Sequence, residues 1–153
     1  MDPEDDFEAE RPRRASEHWA VLAVASLGAL GLALFPLLFA PDARGYGTHE
    51  QLGLKPCYPL EAWRFPCPGC GVTTSIAHAT RGDLLGALSA QPFGLALALS
   101  ALAFFLWALV GQIRGCDLWL DLVRWNWPRL LQGSLGLMAL AWLYKIAAVR
   151  GWL

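Results

Sequence analysis

A run of 21 residues without a charged side chain, residues 19–39, constrains this chain more than any other feature. As an α-helix rising about 1.5 Å per residue, it is long enough to cross the roughly 30 Å hydrocarbon layer of a bilayer. The run also exceeds the roughly 7–15 apolar residues of a secretory signal, so we interpret it as a retained span. The sequence therefore predicts an integral membrane protein.

Two further segments have spanning length. Residues 92–113 carry no charge, and Pro92 sits where the first turn of a helix tolerates a missing N–H. Residues 129–149 are interrupted by Gln132 and Lys145. Because Lys145 is close to the end of that segment, its ammonium group is expected to reach the membrane interface. The predicted fold is an all-α integral membrane protein with three transmembrane helices.

The composition supports a membrane environment and argues against a soluble or nucleic-acid-binding protein. Hydrophobic residues make up 56% of the chain and charged residues 16%, against about 25% charged in soluble domains. The formal net charge is −1, so the chain lacks the basic excess that binding to nucleic acid requires. A lipid bilayer is the expected partner, and a second membrane protein is compatible with the composition.

The first 18 residues differ from the rest. Residues 1–17 hold seven acids and three bases, and such a segment cannot bury enough apolar surface to fold. We therefore predict a disordered acidic cytoplasmic tail over residues 1–18 and a membrane domain over residues 19–153.

Basic residues indicate the orientation. By the positive-inside rule they predict a multi-pass protein of the bacterial inner (plasma) membrane, with the N-terminus cytoplasmic, residues 40–91 outside and the C-terminus outside. The arginines that flank the spans are Arg11, Arg13 and Arg14 before the first, and Arg114, Arg124 and Arg129 after the second.

The loop after the second span carries one cysteine and a helical pattern. Asp117, Asp121 and Arg124 recur at helical spacing opposite apolar residues, which predicts a short surface helix. Cys116 precedes it and is expected to be a free thiol on the cytoplasmic face, opposite the other three cysteines.

Those three cysteines lie in the segment between the first two spans. Cys67 and Cys70 form a Cys-Pro-Gly-Cys sequence, and Cys57 precedes them by ten residues. The prolines restrict the backbone, while Gly69 and Gly71 permit a tight turn. This segment is the one place in the chain where the residue types indicate chemistry.

A short interfacial or re-entrant helix is expected to follow the turn. Cys70, Thr74, His78 and Arg81 would share one face of it. If the helix begins at Cys70, its positive dipole end favours the thiolate form of the pair. The simplest role for Arg81 is a local ion pair with Asp83 that ends the helix.

Several short motifs follow one another in a fixed order through residues 50–110. They are Cys67-Pro68-Gly69-Cys70-Gly71, Thr73, Arg81-Gly82-Asp83, Gln91-Pro92 and Gly94. In these motifs the segment resembles the domain-of-unknown-function 2752 family of bacterial membrane proteins. Many relatives have arginine directly after the threonine that corresponds to Thr73, whereas this chain has Thr74, so no role of that arginine transfers. The resemblance implies a small polytopic membrane protein and brings no activity with it.

Our leading interpretation of the cysteine segment is structural. Cys67 and Cys70 would form a disulfide or two small buried residues that let the segment pack on the spans. The protein would then be a structural or partner-binding membrane subunit.

A second interpretation is membrane thiol–disulfide exchange. Cys67 and Cys70 would form the catalytic redox pair, Cys57 would be the exchange partner, and a quinone would accept the electrons. Thr74, His78 and Arg81 would extend the site along the helix.

A third interpretation is zinc binding. Cys57, Cys67 and Cys70 would supply three thiolates and His49 a fourth ligand. His78 is unsuitable as a ligand, because eight helical residues after Cys70 correspond to about 12 Å of rise.

Overall fold

The structure, a computed structural model, describes residues 16–152. Within these residues it contains helices and no β-strand. Seven α-helices and one 3-10 helix follow one another in the order α1 (Ser16–Leu38), the 3-10 helix (Thr48–Leu52), α2 (Tyr58–Trp63), α3 (Val72–Ala79), α4 (Leu84–Ala90), α5 (Pro92–Arg114), α6 (Leu118–Val123) and α7 (Trp127–Val149).

Three of these helices are long and apolar enough to cross a membrane, namely α1, α5 and α7, with 23 residues each. This confirms the predicted all-α fold with three spans. The helix α1 begins three residues before the predicted start, and α7 begins two residues before it. Residues 1–15 lie outside the described part of the chain, so the acidic tail stays a prediction.

Helices α1 and α5 pack along each other, and α6 closes one end of this pair. Leu118 of α6 is fully buried against Val21 and Ala25 of α1 and Ala108 of α5. Small alanine side chains allow the helix backbones to approach closely. The short helix predicted after the second span is therefore confirmed, and it is packed against both spans.

A buried histidine joins the same end of the pair. The Nε2 atom of His18 lies 2.8 Å from Oε1 of Gln112, and its Nδ1 atom lies 3.1 Å from the backbone nitrogen of Leu118. Because the backbone N–H can only donate, Nδ1 accepts and Nε2 donates to Gln112. One ring thus connects α1, α5 and α6.

At the other end, α3 and α4 fold back onto the start of α5. Two short helices occur here, where a single one was expected after the cysteine turn. A Cβ atom on Gly94 would lie 2.7 Å from Cβ of Ser75, so glycine permits the crossing of α3 and α5. The hydroxyl of Ser75 donates to the carbonyl of Ala87 at 2.7 Å, which joins α3 to α4.

The helix α7 is attached through its C-terminal half. Its buried residues are Ala141 and Lys145. Trp142 donates from its indole N–H to the carbonyl of Pro66 at 2.8 Å, and the Tyr144 hydroxyl donates to the carbonyl of Ser89 at 3.1 Å. The apolar remainder of α7 is largely exposed, as suits a helix surrounded by lipid.

Candidate functional site

Cys57, Cys67 and Cys70 come together in space. Their three sulfur atoms all lie within 4.8 Å of one another. Cys70 is buried, while Cys57 and Cys67 are half-buried, and all three are free thiols. We call this group the cysteine cluster. Its members come from two separate stretches of the chain, since Cys57 is the N-cap residue of α2 and the other two precede α3.

The turn that carries Cys67 and Cys70 is fixed by its backbone. The N–H of Cys70 donates to the carbonyl of Cys67 at 2.9 Å. Gly71 follows with a φ of +89°, and a Cβ atom there would lie 2.8 Å from the carbonyl oxygens of Gly45 and of Ala90. Only glycine fits this position, because both the backbone conformation and the space exclude a side chain.

The thiols of the cluster differ in their tendency to ionise. Burial, together with the neighbouring Cys57 and Cys67, raises the pKa of Cys70 to about 12. Burial also opposes ionisation of Cys57, but hydrogen bonds from the backbone of Cys67 and Leu60 and from the neighbouring thiols outweigh it and lower the pKa of Cys57. Cys57 is therefore the thiol that ionises before Cys70.

This order corrects the expectation that a helix beginning at Cys70 favours its thiolate. The helix α3 begins at Val72, with Gly71 as its N-cap residue, and burial of Cys70 dominates its environment. Desolvation disfavours a charged thiolate more strongly than a dipole two residues away can compensate.

His49 lies beside the cysteine cluster without joining it. It lines a cavity of about 140 Å³ together with Cys57, Cys70, Glu50 and Glu61. Its ring nitrogens are outside the group of ligand atoms that lie within 4.8 Å of one another. The structure therefore brings the three predicted thiols together and leaves the predicted fourth ligand across a small cavity.

The side chains of Thr74 and His78 have hydrogen-bond partners other than the cysteines. The Thr74 hydroxyl is fully buried and lies 2.9 Å from the hydroxyl of Thr48. Nδ1 of His78 lies 2.8 Å from a carboxylate oxygen of Asp83. These contacts join α3 to the 3-10 helix and to the start of α4, so they explain the positions of both residues without chemistry at the cluster.

Arg81 caps the end of α1. It donates from Nη2 to the carbonyl of Pro36 at 2.6 Å and from Nη1 to the carbonyl of Phe39. The expected ion pair with Asp83 is wrong for the described residues, because Asp83 instead contacts His78 and accepts from the N–H of Gly86. A cation at a helix C-terminus satisfies carbonyl groups that lack an intrahelical partner.

Lys145 is a buried polar residue of this region. It is only 4% exposed, and whether its ammonium group lies at the level of the membrane interface stays a prediction. Its Nζ atom donates to the carbonyl oxygens of Gly45 and of Ala90, each at 2.9 Å. The available signal was a lone lysine in an apolar span, which commonly marks a functional position.

Gln91 is a second buried polar residue beside the cysteine turn. Its Nε2 atom donates to the carbonyl of Pro68 at 3.2 Å, which fixes the orientation of the amide group. Its Oε1 atom is buried and has no hydrogen-bond partner among the described residues. Unpaired buried acceptors are rare in proteins, and they commonly mark a position that receives a water or a ligand.

Cys116 lies apart from the cluster. It follows the C-terminal end of α5 and is exposed, whereas Gln91 ties the cysteine turn to the N-terminal end of the same helix. Cys116 and the cluster therefore lie at opposite ends of a 23-residue span. Which side of the membrane each end faces stays a prediction.

Comparison with known proteins gives one match. The family described as "Protein of unknown function (DUF2752)" matches residues 57–107, a segment that includes all three clustered cysteines. No curated protein and no solved structure matches the chain significantly. From the first cysteine of the cluster to the middle of α5, the chain is therefore similar to the DUF2752 family.

Proposed function

We propose that this multi-pass membrane protein holds a thiophilic divalent metal ion, of which Zn²⁺ is the type, between Cys57, Cys67 and Cys70. The observation that carries the proposal is the mutual approach of three sulfurs to within 4.8 Å. A single disulfide needs two converging sulfurs, whereas a metal ion explains all three. Thiolates are the ligands that such ions prefer in proteins.

The spacing suits tetrahedral coordination. Zinc–sulfur bonds of about 2.3 Å place the sulfurs of one ion about 3.8 Å apart. Small side-chain rotations bring sulfurs that lie within 4.8 Å of one another to this spacing. Binding converts three thiols to thiolates and releases three protons to solvent, so the bound ion and its ligands carry one net negative charge.

The fourth ligand is supplied from the cavity beside the cluster. His49 lines this cavity together with Cys57 and Cys70. Rotation of His49 toward the ion would complete an all-protein site, and a water would complete it otherwise. The volume of about 140 Å³ accommodates either.

The role of such an ion is structural. It would tie the segment that carries α2 to the turn that precedes α3, at the end of the α1 and α5 pair. Because metal binding to a site that exists only in the folded chain adds to folding free energy, the ion stabilises this end. The protein then serves as a structural or partner-binding membrane subunit.

Metal analysis of the protein purified in detergent with reductant tests the proposal. We expect one ion per chain. Binding of Cd²⁺, measured by its sulfur-to-metal charge-transfer absorption, should be at least about tenfold weaker in the variants Cys57→Ser, Cys67→Ser and Cys70→Ser. Cys116→Ser is the matched control and should bind as the unmodified protein does. A reduced protein that binds no ion, or serine variants that bind normally, would overturn the proposal.

Thiol–disulfide exchange is a second candidate, favoured by the Cys-Pro-Gly-Cys turn with the third sulfur within 4.8 Å. In this reaction the thiols of Cys67 and Cys70 form a disulfide and release two electrons and two protons. A quinone would accept both and become a quinol, and Cys57 would reopen the disulfide by forming a mixed one.

Mass-tag alkylation of membranes separates the two candidates. If Cys67 and Cys70 react only after treatment with a reductant, they form a disulfide and the metal proposal fails. If they react directly once a chelator has removed the metal, the exchange proposal fails.

A further inference from the structure

A cavity of about 430 Å³ lies between the spans α1 and α5 and is closed on a third side by the end of α3 and the start of α4. We call it the apolar groove. Thr80 is the polar residue that lines it, and the Thr80 hydroxyl donates to the carbonyl of Ile76 at 2.9 Å, one turn back in the chain. The other lining side chains are apolar. The groove therefore offers a ligand an almost entirely apolar wall.

The apolar groove exists because small side chains line the two spans. Ala29 and Ala33 line it from α1, and Ala98 lines it from α5. Leu99 and Leu102 of α5, which also line it, are exposed, so the groove is open to the side. Because α1 and α5 are long and apolar enough to cross a membrane, this opening faces lipid. An empty gap there would deprive the lining atoms of van der Waals contacts, so a hydrocarbon chain is the occupant that fits.

A positive charge lies at one end of the apolar groove. Ala29, Ala33 and Pro36 recur at i, i+4 and i+7 along one face of α1, and the guanidinium of Arg81 donates to the carbonyl of Pro36 at 2.6 Å. Thr80, the residue before Arg81, lines the groove itself. Arg81 is exposed, and within residues 16–152 no carboxylate oxygen lies within 4.0 Å of it. The groove therefore ends beside a cation that no acidic side chain of this part of the chain neutralises.

We propose that the apolar groove holds an acyl chain of one anionic phospholipid, whose phosphate group binds Arg81. This inference does not depend on the metal site. Arg81 donates to the carbonyls of Pro36, Phe39 and Ala77, which fixes its guanidinium at the end of the span α1, and its remaining N–H groups can donate to a phosphate. Arginine is well suited to phosphate, and basic residues between transmembrane helices bind lipid head groups. A phospholipid has both parts that this site requires, an apolar chain and an anionic head.

Native mass spectrometry of the full-length protein tests the proposal. The protein is freed of lipid in detergent and titrated with dioleoyl phosphatidylglycerol, which is anionic, or with dioleoyl phosphatidylcholine, which has the same chains and no net charge. We expect one tightly held phosphatidylglycerol per chain, bound at least about fivefold more tightly than phosphatidylcholine, because one arginine near a membrane surface supplies an attraction of that size. Equal binding of the two lipids would overturn the proposal, since the charge of Arg81 would then play no part.

Two substitutions separate the chain and the head group. Ala33→Phe fills part of the groove and should weaken binding of both lipids at least about fivefold, because buried methylene groups lose their place. Ala23→Phe is its matched control, since Ala23 is exposed on the same helix outside the groove. Arg81→Gln keeps donors for the carbonyls but removes the charge, so it should abolish the preference for phosphatidylglycerol. Arg150→Gln, at an exposed arginine at the end of α7, should keep that preference.

Thermal unfolding in detergent shows whether each variant folds and gives a second measure of binding. Phosphatidylglycerol should raise the Tm of the unmodified protein and raise that of Ala33→Phe less, because a ligand stabilises the folded state that binds it. Unchanged lipid binding in folded Ala33→Phe would place the lipid elsewhere and overturn the proposal. If Arg81→Gln does not fold, Ala33→Phe and the preference of the unmodified protein between the two lipids decide.

Discussion

The two ends of the α1 and α5 pair are held together differently. At one end, which we call the Leu118 end, apolar side chains of α1, α5 and α6 pack around Leu118. At the other, the cysteine end, long polar side chains donate to backbone carbonyls. These ties run from Arg81 to Pro36 and Phe39, from Lys145 to Gly45 and Ala90, from Gln91 to Pro68, and from Trp142 to Pro66.

The difference shows what each end is suited to do. Apolar packing depends on filled volume and tolerates changes of shape. Hydrogen bonds to specific carbonyls fix backbone positions, as a site with three converging sulfurs requires. We therefore expect substitutions at the cysteine end to lower both stability and metal affinity. Substitutions at the Leu118 end should lower stability alone.

The sharpest test of this comparison is Gly71→Ala. The added methyl group would lie 2.8 Å from two carbonyl oxygens at a φ of +89°, so we expect a loss of about 3 kcal/mol or more in unfolding free energy. Metal binding should be lost with it. Denaturant unfolding in detergent and Cd²⁺ titration measure the two effects.

Gly53→Ala is the control for backbone conformation. Gly53 has a φ of +74° and nothing within 4 Å of an added Cβ. The substitution Gly53→Ala should therefore lower the free energy of unfolding by about 1 kcal/mol. Equal losses in the two variants would show that the contact of Gly71 with the carbonyls is unimportant.

Leu118→Ala perturbs the opposite end. Leu118 is fully buried, and its truncation leaves a cavity that should lower the unfolding free energy by about 2 kcal/mol. The Cd²⁺ affinity of the folded variant should not change. A weakened metal site in this variant would break the proposed independence of the two ends.

Arg81→Met removes the cap of α1 at the cysteine end. Arg81 is exposed and donates to the carbonyls of Pro36 and Phe39, at the end of α1 and just after it. We therefore expect the substitution to lower the free energy of unfolding by about 1 kcal/mol, measured by thermal or denaturant unfolding. Arg114→Met, an exposed arginine at the other end of α5, should change stability by less than about 0.5 kcal/mol. Equal effects of the two substitutions would remove the capping role of Arg81.

The smallest expected effect is the pH dependence contributed by Asp83. The N–H of Gly86 and the contact with His78 lower the pKa of this carboxyl below its usual 3.8. Its stabilising contribution is therefore complete above that value and is lost as the pH falls through the lower, folded-state pKa. Asp83→Asn keeps a capping oxygen. It should make the midpoint of unfolding depend less on pH between pH 5 and about pH 2. An unchanged pH profile would contradict this contribution.

Residues and spacing predicted the spans and the turn that carries Cys67 and Cys70, because both depend on local or compositional signals. Three segments of spanning length were identified within three residues of the observed starts. The burial of Lys145 within the protein was not predicted, because a lysine near a helix end gives no local signal of the segments that cover it. Its burial depends on carbonyls of Gly45 and Ala90 that are 100 and 55 residues distant in sequence.

The reactivity of the thiols required the three-dimensional arrangement. A helix start at Cys70 suggested a thiolate in the Cys67 and Cys70 pair, yet burial raises the pKa of Cys70, and hydrogen bonds lower the pKa of Cys57. Local spacing also did not predict that Arg81 contacts the end of α1 or that Asp83 contacts His78. These partners depend on which helix ends lie close together in the folded chain.

The amino-acid sequence by itself determined a helical membrane protein with three spans and a Cys-Pro-Gly-Cys turn between the first two, because length, apolarity and glycine positions act locally. Tertiary structure alone decided that Cys57 joins that turn, that His49 stays across a cavity, and that Lys145 is buried against the carbonyls of Gly45 and Ala90. Those outcomes depend on burial and on distances between segments far apart in the chain, which no local pattern encodes.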